Sequence, residues 1–408
     1  MPRLPSSLEP LFPVVKRAHR FATRRVGAVT RALAPGDHRA PVSFTRAVPR
    51  TAYLSSAEAA SAESTVTLHP GGRAEVLQRP APEGIPAAHP WWKSVTATTI
   101  PPRFVLEMEH GQVVGNYSAH VSADNVLDLE TSPYYDIEGW REHPIFLRPR
   151  LPEASLVPGS LLSLSTRGTG VNYYHFVMDL LPRWAAYVEA FPGQRPDYLL
   201  ADTTARYAQE LLALVGLDDL PMLSPTKHSA FRADRLLVPS IGNVDTLGPA
   251  WNSAWLRETL PPSGRGALPS RIYVTRGSKR NSRRVVNEDS LVSILEPMGF
   301  SILDPGELSV QDQIDAFAAA EVVVAPHGAA LTNLNFSPVG VRVLELFHPR
   351  YLNPGMWAIA ANVPESRYRY LVGKPTEIRP PGAQMKAVFG DITVDLGEFH
   401  DVLTDLLR

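Results

Sequence analysis

Residues 271–347 alternate short apolar strands with helices, and this alternation constrains the fold more than any other feature of the chain. At its centre, Val322-Val323-Val324-Ala325 is an unbroken apolar run, typical of a strand covered on both faces. Asn287 and Ser309 stand where helices begin, and Gly299 stands where one ends. The predicted strands are residues 271–275, 300–303, 322–325 and 341–347. This order predicts an α/β fold with a doubly wound parallel sheet.

A cluster rich in Pro, Gly and Ser, residues 261–270, separates two predicted α/β domains. The N-terminal domain spans residues 41–260, and its first part, to about residue 100, looks loop-like with one short helix. The C-terminal domain spans residues 271–375, and residues 376–408 form a tail that is expected to end in a helix packed on the domains. Residues 1–40 form a basic arm, which is either solvated or an amphipathic helix on an anionic membrane surface.

The composition excludes several classes of partner and chemistry. The chain has 40 Lys and Arg residues against 41 Asp and Glu residues, so no basic field favours nucleic acid as a partner. It contains no cysteine, which excludes disulfides, thiolate metal sites and cysteine nucleophiles. No apolar run reaches the length of a transmembrane helix, and the N-terminus lacks the apolar region of a secretory signal. These features predict a cytoplasmic protein, with the basic arm available for peripheral contact at the inner membrane face.

Several chemistry-bearing residues follow the predicted strands of the C-terminal domain. Carboxyl ends of parallel strands share one edge of the sheet, and ligands bind at that edge. Arg276 follows the first strand, His327 and Gly328 follow the third, and Glu345 lies near the end of the fourth. Glu345 is predicted either to bind the ribose hydroxyls of a nucleotide or to form a buried ion pair.

The segment from His327 to Asn333 joins the most apolar strand to a short helix. Gly328, Ala329 and Ala330 leave the backbone open to close approach, and a helix N-terminus attracts a diphosphate. His327 is predicted to donate to a phosphate oxygen, and Thr332 or Asn333 to reach the same group. Tight packing between strand and helix would require the same small residues, so the segment alone indicates only a phosphate site.

The loop after the first predicted strand is basic. An arginine side chain matches phosphate oxygens in a bidentate geometry, which favours function for Arg276 and, from its place near the next helix, for Arg284. Lys279 and Arg280 favour a solvated loop.

A second candidate site lies on the apolar helix predicted after Asn172. His175, Asp179 and Arg183 recur at every fourth position and therefore share one stripe of this helix. His175 and Asp179 form a plausible base and orienting pair for a sugar hydroxyl, and either one remains open as the proton acceptor. Asn172 and Arg183 are predicted to support this acceptor side. The alternative is an Asp179–Arg183 salt bridge beside a core histidine.

Taken in order, these motifs resemble glycosyltransferase family 61, and the resemblance covers about residues 160–350. The family includes bacterial capsular-polysaccharide enzymes, plant xylosyl- and arabinosyltransferases and animal O-linked N-acetylglucosaminyltransferases. The matching segments are residues 172–183, Ile272-Tyr273-Val274-Thr275-Arg276, residues 283–288, Gly299-Phe300, residues 326–333 and Val343-Leu344-Glu345-Leu346.

The resemblance implies a GT-B fold, in which two Rossmann-like doubly wound domains face a cleft, and an inverting mechanism. It implies that Arg276, His327–Asn333 and Glu345 hold the diphosphate of a nucleotide sugar, with UDP as the expected nucleotide. His175 and Asp179 then line the catalytic side, and the acceptor is a glycan or a lipid-linked glycan of cell-surface polysaccharide biosynthesis. The chain has no Asp-x-Asp, so neither an essential metal nor another cofactor is expected.

Two other functions share this architecture. A nucleotide-sugar epimerase of GT-B fold requires carboxylates at the sugar ring, and no convincing set is placed by the sequence. A catalytically inactive nucleotide-sugar-binding protein has no reason to retain His175, Asp179, Arg276 and His327 together.

The basic arm generates a first prediction. Deleting residues 1–40 should remove most co-sedimentation of the protein with anionic lipid vesicles, since each basic residue near such a surface contributes about 1 kcal/mol. Neutral vesicles provide the control. Co-sedimentation that survives the deletion would show that the arm does not mediate membrane contact.

Overall fold

The computed structural model describes residues 25, 46–134, 137, 139–264, 266–277, 283–375 and 390–408. Apart from residue 25, the basic arm predicted at residues 1–40 lies outside the described residues, as do Lys279 and Arg280. Among the described helices, none is both long enough and apolar enough to cross a membrane.

The part of the chain before residue 241 forms a mixed sheet, in which parallel and antiparallel strands are joined. The strands before residue 241 are β1 (Ala52–Tyr53), β2 (Val66–Pro70), β3 (Glu75–Gln78), β4 (Glu83–Ile85), β5 (Ala97–Ile100), β6 (Phe104–Glu109), β7 (Gln112–Val114), β8 (Ala119–Val121), β9 (Leu127–Asp128), β10 (Ser155–Ser163), β11 (Tyr198–Leu200), β12 (Met222–Leu223) and β13 (Ala230–Pro239). Of these, β3 and β5 form a separate antiparallel pair, and β4 belongs to the second sheet. The sheet order is β1-β9-β8-β7-β13-β10-β11-β12, and β6 joins β13 to β2. The run β13-β10-β11-β12 is parallel throughout, as expected for strands connected by helices.

The later part of the chain forms a second sheet, in which every pairing is parallel. Its strands and those of a two-stranded ribbon are β14 (Arg271–Val274), β15 (Ser301–Leu303), β16 (Val322–Pro326), β17 (Arg342–Phe347), β18 (Arg367–Val372), β19 (Lys374–Pro375) and β20 (Ile392–Thr393). The sheet order is β15-β14-β16-β17-β18-β4. The predicted α/β class and all four predicted strands are therefore confirmed.

Helices connect and cover these strands. The α-helices are α1 (Ser56–Ala62), α2 (Pro90–Lys93), α3 (Tyr173–His175), α4 (Leu181–Ala190), α5 (Arg206–Leu214), α6 (Ala250–Thr259), α7 (Glu288–Leu295), α8 (Val310–Ala319), α9 (Gly355–Ala360) and α10 (Leu396–Leu407). A π-helical turn, Phe176–Leu180, joins α3 to α4, and short 3₁₀ helices or turns are Trp140–Glu142, Pro144–Leu147, Val244–Thr246, Glu296–Met298 and Ala329–Phe336.

The predicted helix boundaries are set by two different kinds of contact. Ser309 caps α8 by accepting a hydrogen bond from the Asp312 N–H group, as its position predicts. Asn287 precedes α7, but its side chain bonds to the backbone of Val394 and does not cap the helix. Gly299 ends the following 3₁₀ turn with φ 81°, the left-handed conformation that favours glycine.

The prediction that residues 41–100 are mainly loop was wrong. This region contributes strands to both sheets, and β4 forms the edge of the second sheet by pairing with β18. These strands are only two to five residues long, so their local periodicity is too short to indicate a strand.

The two sheets share one buried apolar cluster. The cluster includes Leu237 from the first sheet, Val323 from the second sheet and Trp92 from the N-terminal region. The Trp92 ring contacts the rings of Trp357 and Tyr370, with centroids 5.5 Å and 5.3 Å away. The N-terminal region is thereby packed into the interior beside the second sheet.

Trp92 provides a test of this packing. Replacing Trp92 by Ala should lower the free energy of unfolding by about 3–5 kcal/mol, because it leaves a cavity among buried aromatic rings. The measurement is urea denaturation followed by circular dichroism. Leu54→Ala is the control, since Leu54 is 63% exposed, and a Trp92→Ala effect as small as that of Leu54→Ala would contradict the packing.

Candidate functional site

The carboxyl ends of β14 and β16 meet at Arg276 and Gly328. A β-carbon placed on Gly328 would overlap Nη1 of Arg276, so the guanidinium lies directly against the glycine. The backbone of Gly328 is extended, with φ −179°, which any residue can adopt. Any larger residue would displace the guanidinium from this position, so the arginine and the strand-to-helix junction form one surface.

Arg283 is a second arginine at this surface. Its Nε atom donates a hydrogen bond to the backbone oxygen of His327 at 3.0 Å. Arg283 has φ 52°, a left-handed conformation that costs a non-glycine residue energy and that the fold maintains here. Burial and the nearby Arg283 charge lower the pKa of Arg276 to about 10, and burial also lowers the pKa of Arg283. Two partly desolvated cations thus lie close together.

His327 completes this group and is oriented from behind by a carboxylate. Its Nδ1 atom lies 2.5 Å from Oε1 of Glu345, and the Tyr368 hydroxyl donates to the other Glu345 oxygen. The ring also stacks on Phe347. With Nδ1 directed at Glu345, Nε2 is the nitrogen left to act on a ligand. Burial lowers the pKa of His327, against the opposing effect of Glu345, and the two nearby arginines lower it further.

This arrangement does not support the ribose contact predicted for Glu345. Glu345 is fully buried, and both of its oxygens already have partners. Of the two alternatives left by the sequence, the buried pair is the one observed, because the strand places residue 345 beneath the imidazole of residue 327.

The segment after Gly328 is a 3₁₀ helix whose residues have different surroundings. Ala329 and Ala330 are partly exposed at its start, where N–H groups lack partners within the helix. Thr332 and Asn333, predicted to reach a phosphate, are instead fully buried. Asn333 accepts a hydrogen bond from the Tyr173 hydroxyl at 2.8 Å and donates to Gln313 at 3.0 Å. Its role here is to join the two halves of the molecule.

Arg284 does not join the Arg276 group. Its backbone N–H donates to Asp391 at 2.9 Å, its guanidinium lies 3.5 Å from the same carboxylate, and 53% of its side chain is exposed. The neighbouring residue, Arg283, faces the site instead. The left-handed backbone at residue 283 determines which of the two adjacent arginines faces the site, and the sequence gives no signal for that conformation.

His175 and Asp179 form a hydrogen-bonded pair on the opposite side. The His175 Nδ1 atom lies 2.7 Å from Oδ2 of Asp179, and Asn243 donates from Nδ2 to Oδ1 at 2.6 Å. The His175 ring lies over Gly168, where a β-carbon would approach it to 2.5 Å. Asp179 is buried, whereas 19% of the His175 side chain is exposed. The pair therefore presents an imidazole outward.

Arg183 and Asn172 support the pair from a distance rather than lining the site. Arg183 is fully buried and donates to the backbone oxygens of Pro239, Leu164 and Ser165. A π-helical turn, Phe176–Leu180, replaces α-helical geometry around Asp179, so regular α-helical periodicity does not describe the whole segment from His175 to Arg183. Asn172 caps α3 by accepting from the Tyr174 N–H group at 2.9 Å.

Sequence reasoning missed three residues of this arrangement: Arg283, Asn243 and Tyr368. Asn243 lies in the loop after β13, and Tyr368 lies in β18, both far in sequence from their partners. A polar residue within an apolar strand is a weak signal for Tyr368, and Asn243 has none. Within the described residues, no cluster of three or more His, Asp or Glu side chains suits a metal ion.

The comparison with known families agrees with the motifs that form this arrangement. Residues 173–344 match the family model described as Glycosyltransferase 61. The match begins at α3, extends into β17 and includes His175, Asp179, Arg276 and His327. This region of the chain is therefore similar to a glycosyltransferase domain, which confirms the resemblance to glycosyltransferase family 61 identified from the sequence. No curated protein matches the chain.

The Glu345 contact leads to a prediction about His327. Glu345→Gln should lower the pKa of His327 by about one pH unit or more, because it removes the carboxylate that stabilises the imidazolium. The measurement is an NMR titration of the histidine ring signals, assigned with His327→Gln. The control is Glu107→Gln, since Glu107 lies 2.8 Å from His69 and not beside His327. An unchanged or higher pKa of His327 would contradict the assigned contact.

Proposed function

We propose that this protein is an inverting glycosyltransferase that moves a sugar from a nucleotide donor, UDP in the first instance, to a hydroxyl of a glycan or lipid-linked glycan. The single observation that carries the proposal is the convergence of Arg276, Arg283 and His327 at the carboxyl edge of a parallel sheet. The family match supplies the class of reaction.

The charge of this group suits a diphosphate. The positive charges of Arg276 and Arg283 repel each other, and an anion bound between them would offset this repulsion. Guanidinium groups also match the geometry of phosphate oxygens. The start of the Ala329–Phe336 helix adds N–H groups beside Gly328, where no side chain blocks a ligand. As the bond to the sugar breaks, the leaving diphosphate gains negative charge, and fixed cations stabilise it most at that point.

His175 is the proposed base, with Asp179 as its orienting partner. Both oxygens of Asp179 already have partners in His175 and Asn243, and the side chain is buried behind the imidazole, so His175 is the member of the pair that faces an acceptor. A proton on His175 Nδ1 that is directed at Asp179 leaves Nε2 as a lone-pair acceptor. Nε2 removes the proton of the acceptor hydroxyl while its oxygen attacks the anomeric carbon. The C–O bond to the diphosphate breaks on the opposite face, and the configuration inverts.

We propose that the two sheets form the GT-B arrangement implied by the family resemblance. The His175 side and the diphosphate side come from different sheets and are joined by the hydrogen bond between Tyr173 and Asn333. The parallel run β13-β10-β11-β12 and the six-stranded parallel sheet are each typical of a Rossmann-like unit. Cell-surface polysaccharide synthesis at the cytoplasmic membrane face is the proposed setting, and it depends on the resemblance and on the basic arm.

The test of the function is a reaction with a panel of UDP-sugars, assayed for UDP release with and without acceptor glycans. A transferase releases UDP together with a glycosylated product whose anomeric configuration is inverted. An epimerase alters the sugar without transfer, and an inactive protein binds a UDP-sugar without changing it. Activity that survives EDTA would agree with charge compensation by arginines in place of a metal.

The two adjacent arginines make a sharper prediction. Arg283→Ala should weaken UDP binding about 10-fold to 100-fold, because a hydrogen bond to a charged group contributes about 1.5–3 kcal/mol. Arg276→Ala should have a similar effect. Arg284→Ala is the matched control and should change the Kd less than twofold, since Arg284 is directed towards Asp391. Isothermal titration calorimetry measures the three, and equal losses for Arg283 and Arg284 would contradict the assigned site.

A further inference from the structure

The loop between β13 and α6 reaches the candidate base through one side chain. Asn243 donates from Nδ2 to Oδ1 of Asp179 at 2.6 Å, while Oδ2 of Asp179 lies 2.7 Å from Nδ1 of His175. The three side chains form a continuous hydrogen-bonded chain from the loop to the imidazole. Asn243 lies within the range that matches the family model, in the loop between β13 and α6, and the match itself assigns it no role.

The orientation of the Asn243 amide is determined by Tyr174. The Tyr174 hydroxyl lies 2.9 Å from the Thr246 backbone oxygen and 3.3 Å from Oδ1 of Asn243, so these oxygens are its acceptors. An amide whose oxygen faces a hydroxyl donor must direct its NH₂ group the other way, here towards Asp179. Tyr174 precedes His175 in the helix, so the loop and the base are tied to the same turn.

The loop holds this position in an unfavourable backbone conformation. Asp245 and Thr246 have φ 48° and 66°, in the left-handed region that non-glycine residues rarely adopt. Such conformations persist only where surrounding contacts maintain them, and the Tyr174 hydroxyl supplies one such contact at Thr246. The strained turn brings residue 243 to the carboxylate.

We infer that Asn243 is a positioning residue, which holds Asp179 so that Oδ2 faces Nδ1 of His175. This inference rests on the proposed role of His175 as the base. A buried carboxylate requires partners for its oxygens, and without Asn243 the Oδ1 atom loses its donor. The carboxylate can then turn, and His175 loses the contact that selects the tautomer with Nε2 unprotonated.

Several groups surround His175, and the test must distinguish their effects on the imidazole from that of Asn243. The Asp179 carboxylate is in direct contact with its imidazole, and Arg183 is a charged neighbour of Asp179. The Tyr174 ring meets the imidazole edge-on at 5.4 Å, and Gly168 from the preceding loop lies under it. Asn243 is neutral, so it acts on His175 through Asp179.

The test uses the full chain with three substitutions at residue 243. Asn243→Ala removes the donor, Asn243→Ser keeps a shorter donor, and Asn243→Asp keeps the shape but adds a carboxylate. For UDP-sugar turnover, Asn243→Ala should lower kcat about 10-fold to 100-fold with a donor KM within twofold, as expected for the loss of one hydrogen bond to a charged group. Asn243→Ser should recover part of kcat.

The isosteric variant gives a readout that a purely structural role would not change. Asn243→Asp places a second carboxyl group near the imidazole and should shift the acidic limb of the kcat–pH profile to higher pH. Its melting temperature should fall, because the new carboxyl group lies beside the buried Asp179 carboxylate, so the pH profile is compared at a temperature at which both proteins are fully folded. The control is Asn116→Ala, in an exposed turn, which should change neither kcat nor the profile.

A spectroscopic readout distinguishes this inference from the function itself. In ¹⁵N NMR spectra of the histidine rings, assigned with His175→Gln, wild-type His175 should show the Nδ1–H tautomer, and Asn243→Ala should reduce that preference. If Asn243→Ala keeps both the tautomer and kcat of the wild type, the inference fails even where His175→Gln is inactive. If His175→Gln still transfers sugar, the proposed base is wrong, whatever residue 243 does to the tautomer.

Discussion

The helical segment from Tyr173 to Leu180 packs against the 3₁₀ helix from Ala329 to Phe336, and both sides of the candidate site depend on that contact. The first helix begins after the loop that follows β10, and the second begins directly after β16. The hydrogen bond between Tyr173 and Asn333 fixes one point of the contact, and a bond from Asn335 to the Met178 sulfur fixes another. Because both helices follow the carboxyl ends of strands, their contact brings the two ligand-binding edges together.

The same device orients a histidine on each side of this contact. A carboxylate contacts Nδ1 in both pairs, but the electrostatic surroundings differ. His327 is almost fully buried beside two arginines, and these cations together with burial oppose its protonation. His175 is more exposed, and its carboxylate is held by the neutral amide of Asn243. One imidazole therefore belongs to a cationic surface suited to a diphosphate, whereas the other is suited to accept a proton.

Much of the fold was predictable from the sequence, because the elements of residues 271–347 are specified locally. The apolar run at residues 322–325 and the cap at Ser309 act over a few neighbouring positions, and the structure contains both. The strands before residue 100 were not predictable, since they are short and some of them pair with distant segments. The π-helical turn at Phe176–Leu180 was not predictable either, because helical periodicity in the sequence does not indicate it.

The sequence by itself determined the α/β class, the resemblance to glycosyltransferase family 61 and the placement of Arg276, His327 and the His175–Asp179 pair. These follow from periodicity, from topology and from a spacing of four residues, all of which are properties of a local stretch of chain. Only the tertiary structure decided that Arg283 faces the site rather than Arg284, that Glu345 supports His327, and that Asn243 reaches Asp179. Each of these depends on a backbone conformation or on a partner between 18 and 64 residues away. A side chain's direction at such a position is set by packing, which no local pattern records.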